Sequence, residues 1–204
     1  MFTIESDIGP ATRDVMNFFK DQVPFAFSMA LNDTAFQVRK EIVEVTFNRD
    51  FTVRNPSFAR ALFRTGEKAT KVNLMTSVGQ VSLRGGDRDY IRTHAEGGTK
   101  SPRGRNIAIP LAPSEVRTST GRVSASKKPR NLKNSYFRNV KGNTVLFERK
   151  KNKTEAVYVM KPSAPISKRF NFYEDAMTTA TTVFPGLFDA ALDRAIKTSR
   201  FFPG

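Results

Sequence analysis

The sequence predicts an α+β fold: an antiparallel β-sheet flanked by a long N-terminal helix and a kinked C-terminal helix, with a long basic loop or arm. Three observations carry that expectation. Apolar residues recur at steps of three and four near both ends of the 204-residue chain. In the middle they alternate or form short runs, and glycine-rich turns separate them. Over 113–131 the apolar spacing fails, and Gly, Ser, Thr, Pro and Lys dominate. Helix, strands and helix in that order point to an antiparallel sheet with helices on one face. At this length a single domain over 1–204 is expected, with 1–22 as an N-terminal arm, 100–153 as a basic insertion and 200–204 as a C-terminal tail.

The first helix is expected to open near Val23-Pro24, where a proline in the first turn gives up no hydrogen bond. Phe27, Leu31, Thr34, Val38, Ile42 and Val45 form its apolar stripe, and it should end before Asn55-Pro56. A short amphipathic piece, Ser57 to Arg64, stops at Gly66. Strand candidates follow at Ala69–Val78, Gln80–Arg84, Tyr90–Ala95, Asn106–Leu111, Thr144–Arg149 and Glu155–Met160. Turns at Gly85-Gly86-Asp87, Gly97-Gly98 and Lys141-Gly142-Asn143 separate several of them. The last helix runs from about Asn171 to Ser199. Pro185 predicts a kink or two consecutive helices, Glu174 and Asp175 suit its N-terminal dipole, and Lys197 and Arg200 suit the other end.

Charge is partitioned along the chain. The net of +15 comes from 34 basic and 19 acidic residues. Residues 1–99 carry 13 and 12, residues 154–204 carry 6 and 5, and residues 100–153 carry 15 and 2. One quarter of the chain thus holds a net +13. Lys127, Lys128, Arg130, Lys133, Arg138 and Lys141 in that quarter could neutralise phosphates, with Tyr136 and Phe137 to stack on bases. A solvated loop, or an arm on an acidic neighbouring subunit, accounts for the same residues. No RNP signature, KH loop or zinc-ligand set is present. Phe201 and Phe202 follow the end of the last helix; they either dock on a partner or pack back onto the core.

Catalytic chemistry finds little purchase. With no cysteine the chain has no disulfide, thiolate nucleophile or cysteine-ligated metal, and one histidine cannot build a histidine-rich metal site. His94, with Asp87, Asp89 and Glu96 nearby, matches no ligand spacing and reads as a structural residue at a strand end. GGTKSPRG (97–104) lacks the lysine directly after the second glycine that a phosphate loop needs. Neither the Asp87/Asp89 pair nor Glu174-Asp175 needs more than a turn or cap role. No apolar run reaches the roughly 18 residues that span a bilayer. The N-terminus lacks the basic and apolar regions of a secretory signal. The expectation is a soluble, non-enzymatic protein without cofactor or metal.

Three stretches carry a resemblance. VPFAFSMALNDTAFQVRKEI (23–42), with Val23-Pro24 and then Ala30-Leu31-Asn32-Asp33-Thr34-Ala35, resembles the opening helix of the tail-completion proteins of tailed phages, the minor tail protein Z group. YIRTHAEGGTKSP (90–102) resembles an aromatic-then-glycine segment of phage neck and tail-joining proteins. FNFYEDAMTTATTVFPGLFDAALDRAIKTS (170–199) looks like the aromatic-led C-terminal helix of both groups. Together they cover about a third of the chain in the expected order; residues 113–153 have no counterpart. The resemblance implies a virion structural protein made in the host cytoplasm. It would form a ring of identical copies in the head-proximal tail or neck and dock on tail tube, neck or portal-side proteins. Its basic segment would order on acidic neighbours or on DNA. A nucleic-acid-binding protein using 100–153 is the alternative.

Overall fold

The computed structural model describes residues 8–80, 91–102, 104–119 and 121–198. It is mixed helix and sheet, with long helices near both ends and antiparallel strands between. In chain order the elements are α1 (Ile8–Glu41), a π-helical segment (Ile42–Thr46), α2 (Phe47–Asp50), α3 (Pro56–Leu62), β1 (Phe63–Thr65), β2 (Val78–Gln80), α4 (Arg92–Glu96), β3 (Gly98–Lys100), β4 (Ile107–Pro110) and α5 (Pro113–Val116). Two 3₁₀ turns (Ala125–Lys127, Pro129–Asn131) lead into β5 (Ser135–Val140), β6 (Asn143–Arg149), β7 (Thr154–Lys161), β8 (Ala164–Ile166) and α6 (Phe172–Lys197). The chain divides into two compact units: residues 1–51, 57–88 and 171–204 in the first, 52–56 and 89–170 in the second.

The first unit is a pair of antiparallel helices with the β1–β2 ribbon. Ala26 and Ala30 of α1 meet Ala191 and Ala195 of α6 in a fully buried seam, where small side chains let the two backbones approach. Phe27 sits edge-on to both Phe184 and Phe188, with ring centroids 5.2 and 5.6 Å away. At the other end of the pair, the Asp175 carboxylate accepts from the Thr46 hydroxyl at 2.7 Å and from Arg49 at 2.8 Å. Asp50 accepts from the Asn171 amide at 3.0 Å, and the Arg49 hydrogen bond holds its carboxyl below the usual range. The entry to α6 is thus tied to the exit of the N-terminal helix.

Three expectations for this unit change. Helix α1 begins at Ile8 and runs through Pro24, instead of opening at Val23-Pro24. Phe18 is buried, so packing holds the turns that precede the proline and offsets the hydrogen bond it removes. Of the kink or two consecutive helices expected at Pro185, the two helices do not occur: α6 is one helix with Pro185 inside it. Val45, the last residue of the expected stripe, is 48% exposed, while Ile42, Val43, Thr46 and Phe47 are buried. A π turn closes i→i+5 hydrogen bonds, so it re-phases the helix and brings Thr46 inward in place of Val45.

Ala69–Val78 is a loop that reaches strand geometry only at Val78. The Asn32 side chain takes the place of a neighbouring strand there. Its amide donates to the Ala69 carbonyl at 3.0 Å, and its carbonyl accepts from the Ala69 amide at 2.8 Å. Expectations for 81–90, including the Gly85-Gly86-Asp87 turn, Asp87 and Asp89, lie outside the described residues.

The second unit is built on an antiparallel four-stranded sheet in the order β4-β7-β6-β5, beside the small β3–β8 pair. The expected strands at Asn106–Leu111, Thr144–Arg149 and Glu155–Met160 are β4, β6 and β7, to within two residues. Of the strand expected over Tyr90–Ala95, the described residues 91–95 are not a strand. Residues 92–96 form the short helix α4, because buried Ile91 and Ala95 stand four apart on one helical face. The basic segment supplies part of the core itself: Val116 and Leu132 are buried against Leu146 and Tyr158 of the sheet. The Tyr158 hydroxyl donates to the Lys127 carbonyl at 2.6 Å, pinning the first 3₁₀ turn over that core. Residues 113–119 and 121–131, where the apolar spacing fails, are a succession of short helical turns with a bridge between Arg117 and Val123.

Candidate functional site

Sequence counts over the two units sharpen the charge partition. The second unit carries 20 basic and 5 acidic residues, a net +15, which leaves 14 of each in the first and a net of zero. The whole imbalance of the protein therefore belongs to the sheet-bearing unit.

Most of its described carboxylates are already neutralised. Glu96 pairs with Arg92 at 2.9 Å and Glu148 with Lys127 at 3.5 Å. Glu155 is held between Lys150 and Lys153. Hydrogen bonds from Lys150 and then Lys153 push its carboxyl down to about 2. We expect nuclear magnetic resonance titration of Glu155 to give a midpoint far below the ordinary value of 4.5. A K150Q/K153Q variant should return it to the ordinary range, and an unchanged midpoint would contradict this cause. Because the folded value is depressed, the associated stability is complete above the unfolded carboxylate range and is lost as pH falls through about 2.

Six of the residues singled out in the sequence fall on this unit. Lys127 is half-buried and spoken for by Glu148. Lys128 and Arg130 stand on the second 3₁₀ turn and its approach, Lys133 just before β5, Arg138 within it, and Lys141 at the hairpin tip. These five are exposed and have no carboxylate partner among the described residues. Phe201 and Phe202 lie outside the described residues.

Local geometry accounts for the placement. β5 and β6 form a hairpin in which Val140 faces Asn143, so Lys141 and Gly142 are its two-residue loop. Both have positive φ, 50° and 77°. Tight hairpins need that backbone, and Asn-Gly serves it best; a lysine in the first position is strained by roughly 1–2 kcal/mol. β5 is the outer strand of the sheet, which sets Arg138 along an edge.

Tyr136 and Phe137 do not form one stacking surface. Adjacent strand residues point to opposite faces, and Phe137 pairs with core-facing Leu146 while Tyr136 pairs with Phe147. The Tyr136 ring stacks on Phe147 at 5.7 Å, and the Arg149 guanidinium lies 5.8 Å over Tyr136. Nothing in the sequence singles out Arg149, yet the hairpin loop fixes it two residues beyond the partner of Tyr136.

His94 is a positioning residue of α4. Its carbonyl accepts from the Arg169 and Phe170 amides at 2.9 and 3.0 Å. Burial first, then the charges of Arg169 and Lys100, lower its pKa. Among the described residues no group of three His, Cys, Asp or Glu side chains could hold a metal ion, and no helix is long and apolar enough to cross a membrane. Compared with known proteins, the chain matches no family model, no curated protein and no solved structure.

Proposed function

We propose that this chain is a structural virion protein of a tailed bacteriophage, which assembles as a ring of identical copies in the head-proximal tail or neck and works by docking, not catalysis. The observation that carries the reading lies in the first unit. The segments 23–42 and 170–199, which resemble tail-completion proteins, fold together as the α1–α6 pair. In the first of them, Ala30 and Ala35 are buried and Asn32 clamps the Ala69 backbone, so the residues that carry the likeness also hold this unit together. The pair buries its alanine seam yet leaves large apolar side chains in solvent: Met16 and Phe19 one turn apart on α1, Tyr173 and Met177 one turn apart on α6. Apolar surface on well-formed helices favours a partner, and in a ring every copy supplies one. Neighbouring tail tube, neck or portal-side proteins would dock on the faces left open.

Mass photometry over a range of concentrations tests the ring. We expect closed oligomers of one size, and largely monomers for Met16→Glu combined with Phe19→Glu at unchanged helical circular dichroism. A wild-type chain that stays monomeric at every concentration, or a double variant that assembles like the wild type, would count against the proposal.

A further inference from the structure

The geometry points to a binding surface for the phosphate backbone of duplex DNA on the second unit, formed by Lys128, Arg130, Lys133, Arg138 and Lys141. The five exposed cations follow one another between residues 128 and 141, Arg138 on the outer strand of the sheet at the face opposite Phe137 and the other four on the turns before and after that strand. At about 3.3 Å per residue, β5 runs ~17 Å from Ser135 to Val140 along this edge. A duplex offers about ten phosphates over that length.

Two competing roles for these cations fit less well. Lysines on an edge strand discourage strand-to-strand aggregation. That accounts for Arg138, but not for Lys128 and Arg130, which stand outside the strand, nor for a lysine where asparagine would relieve the hairpin. Docking on an acidic protein is the second. Protein interfaces are poor in lysine and rich in aromatic anchors. Here three of the five residues are lysines, and of the two neighbouring rings Tyr136 is already stacked and Phe137 stands alone on the other face of the strand. Another copy of this chain offers no excess of counter-charge, because it brings a neutral unit and a second +15. With the Tyr136 ring stacked on Phe147 and the exposed Phe137 on the opposite face of the strand, no two rings form a platform for successive bases, and the duplex is favoured over a single strand. DNA binding at this surface is independent of the virion role and survives its failure.

Fluorescence anisotropy of the full chain with a labelled 20-base-pair duplex, from 50 to 200 mM salt, tests it. Five phosphate contacts give a log–log salt slope of about −4.5, a loss of affinity of roughly 500-fold over that range. A duplex of scrambled sequence should bind equally. Replacing all five residues with Gln should remove most of the slope. The triple variant K128Q/R130Q/K133Q, which leaves the strand intact, should lower it by about 2.7. A variant with Arg13, Lys20, Lys40, Lys68 and Lys197 replaced by Gln loses the same charge from the neutral unit and should keep the wild-type slope. The proposal is overturned if no binding appears at 50 mM salt or if the triple variant keeps its slope while folded. It is equally overturned if single-stranded DNA binds more tightly, or if polyglutamate of matched charge competes as well as the duplex, which would make the partner an acidic protein.

Discussion

Tyr158→Ala is expected to lower stability by about 3–5 kcal/mol, the usual cost of truncating a fully buried aromatic side chain. Tyr158 is 1% exposed and does two jobs at once. Its ring fills the space beneath the sheet between Leu146, Val116 and Leu132, and its hydroxyl satisfies the Lys127 carbonyl. Tyr158→Phe separates the two. It keeps the ring, leaves that carbonyl without its donor, and should cost about 1–3 kcal/mol. Urea unfolding followed by circular dichroism reads both. Equal midpoints for the two variants would mean that the ring contributes nothing beyond the hydrogen bond. Salt dependence of DNA binding should also weaken in Tyr158→Ala, because the turn carrying Lys127 and Lys128 is pinned by that hydroxyl.

Phe63→Ala is the counterpart in the helical unit. Phe63 is 1% exposed, stacks on Phe172 with centroids 5.8 Å apart, and meets Phe47 edge-on at 6.0 Å. Phe47 in turn contacts Phe51 and Phe58. Removing the ring takes the shared member out of this cluster and should cost about 3–5 kcal/mol, whereas Phe63→Leu, which retains most of the volume, should cost under about 1.5 kcal/mol. Arg39 also donates to the Phe63 carbonyl at 2.8 Å, a contact neither substitution touches. A Leu variant as damaged as the Ala variant would show that ring stacking, not filled volume, holds the cluster.

The two long helices and three central strands are legible in the sequence because each presents a strong local period. The sequence misleads where that period is ambiguous or where a distant residue intervenes. Ile91 and Ala95 are compatible with alternation as well as with a helical face, and burial decides for the helix. The loop after Ala69 looks strand-like, but Asn32, 37 residues earlier, satisfies its backbone. β5 escapes notice since nearly all of its residues are exposed, so no apolar alternation marks it. For the candidate surface the residue types are legible, and so is their concentration in one segment. Which of them are free is not. Lys127 differs from Lys128 only through Glu148, about twenty residues away, and the separation of Tyr136 from Phe137 follows from strand pleating. The division into a neutral and a basic unit depends on returns of the chain near residues 52–56 and 170 that composition alone does not mark.

The π-helical segment at Ile42–Thr46 carries a consequence for how this gene can vary. It holds a residue that a regular α-helix would not accommodate in that turn, and everything after it is aligned to that surplus. Loss of a single codon there would take away the surplus and let the turn close as a regular α-helix, with Thr46 in the inward place that the α-helical period assigns to Val45. Phe47, Arg49 and Asp50 would keep the faces that reach the aromatic cluster, Asp175 and Asn171. A second codon lost, with no surplus left to absorb it, would rotate the following turn by about 100° and part both anchors of α6. This stretch should therefore tolerate the loss of one residue and not of two.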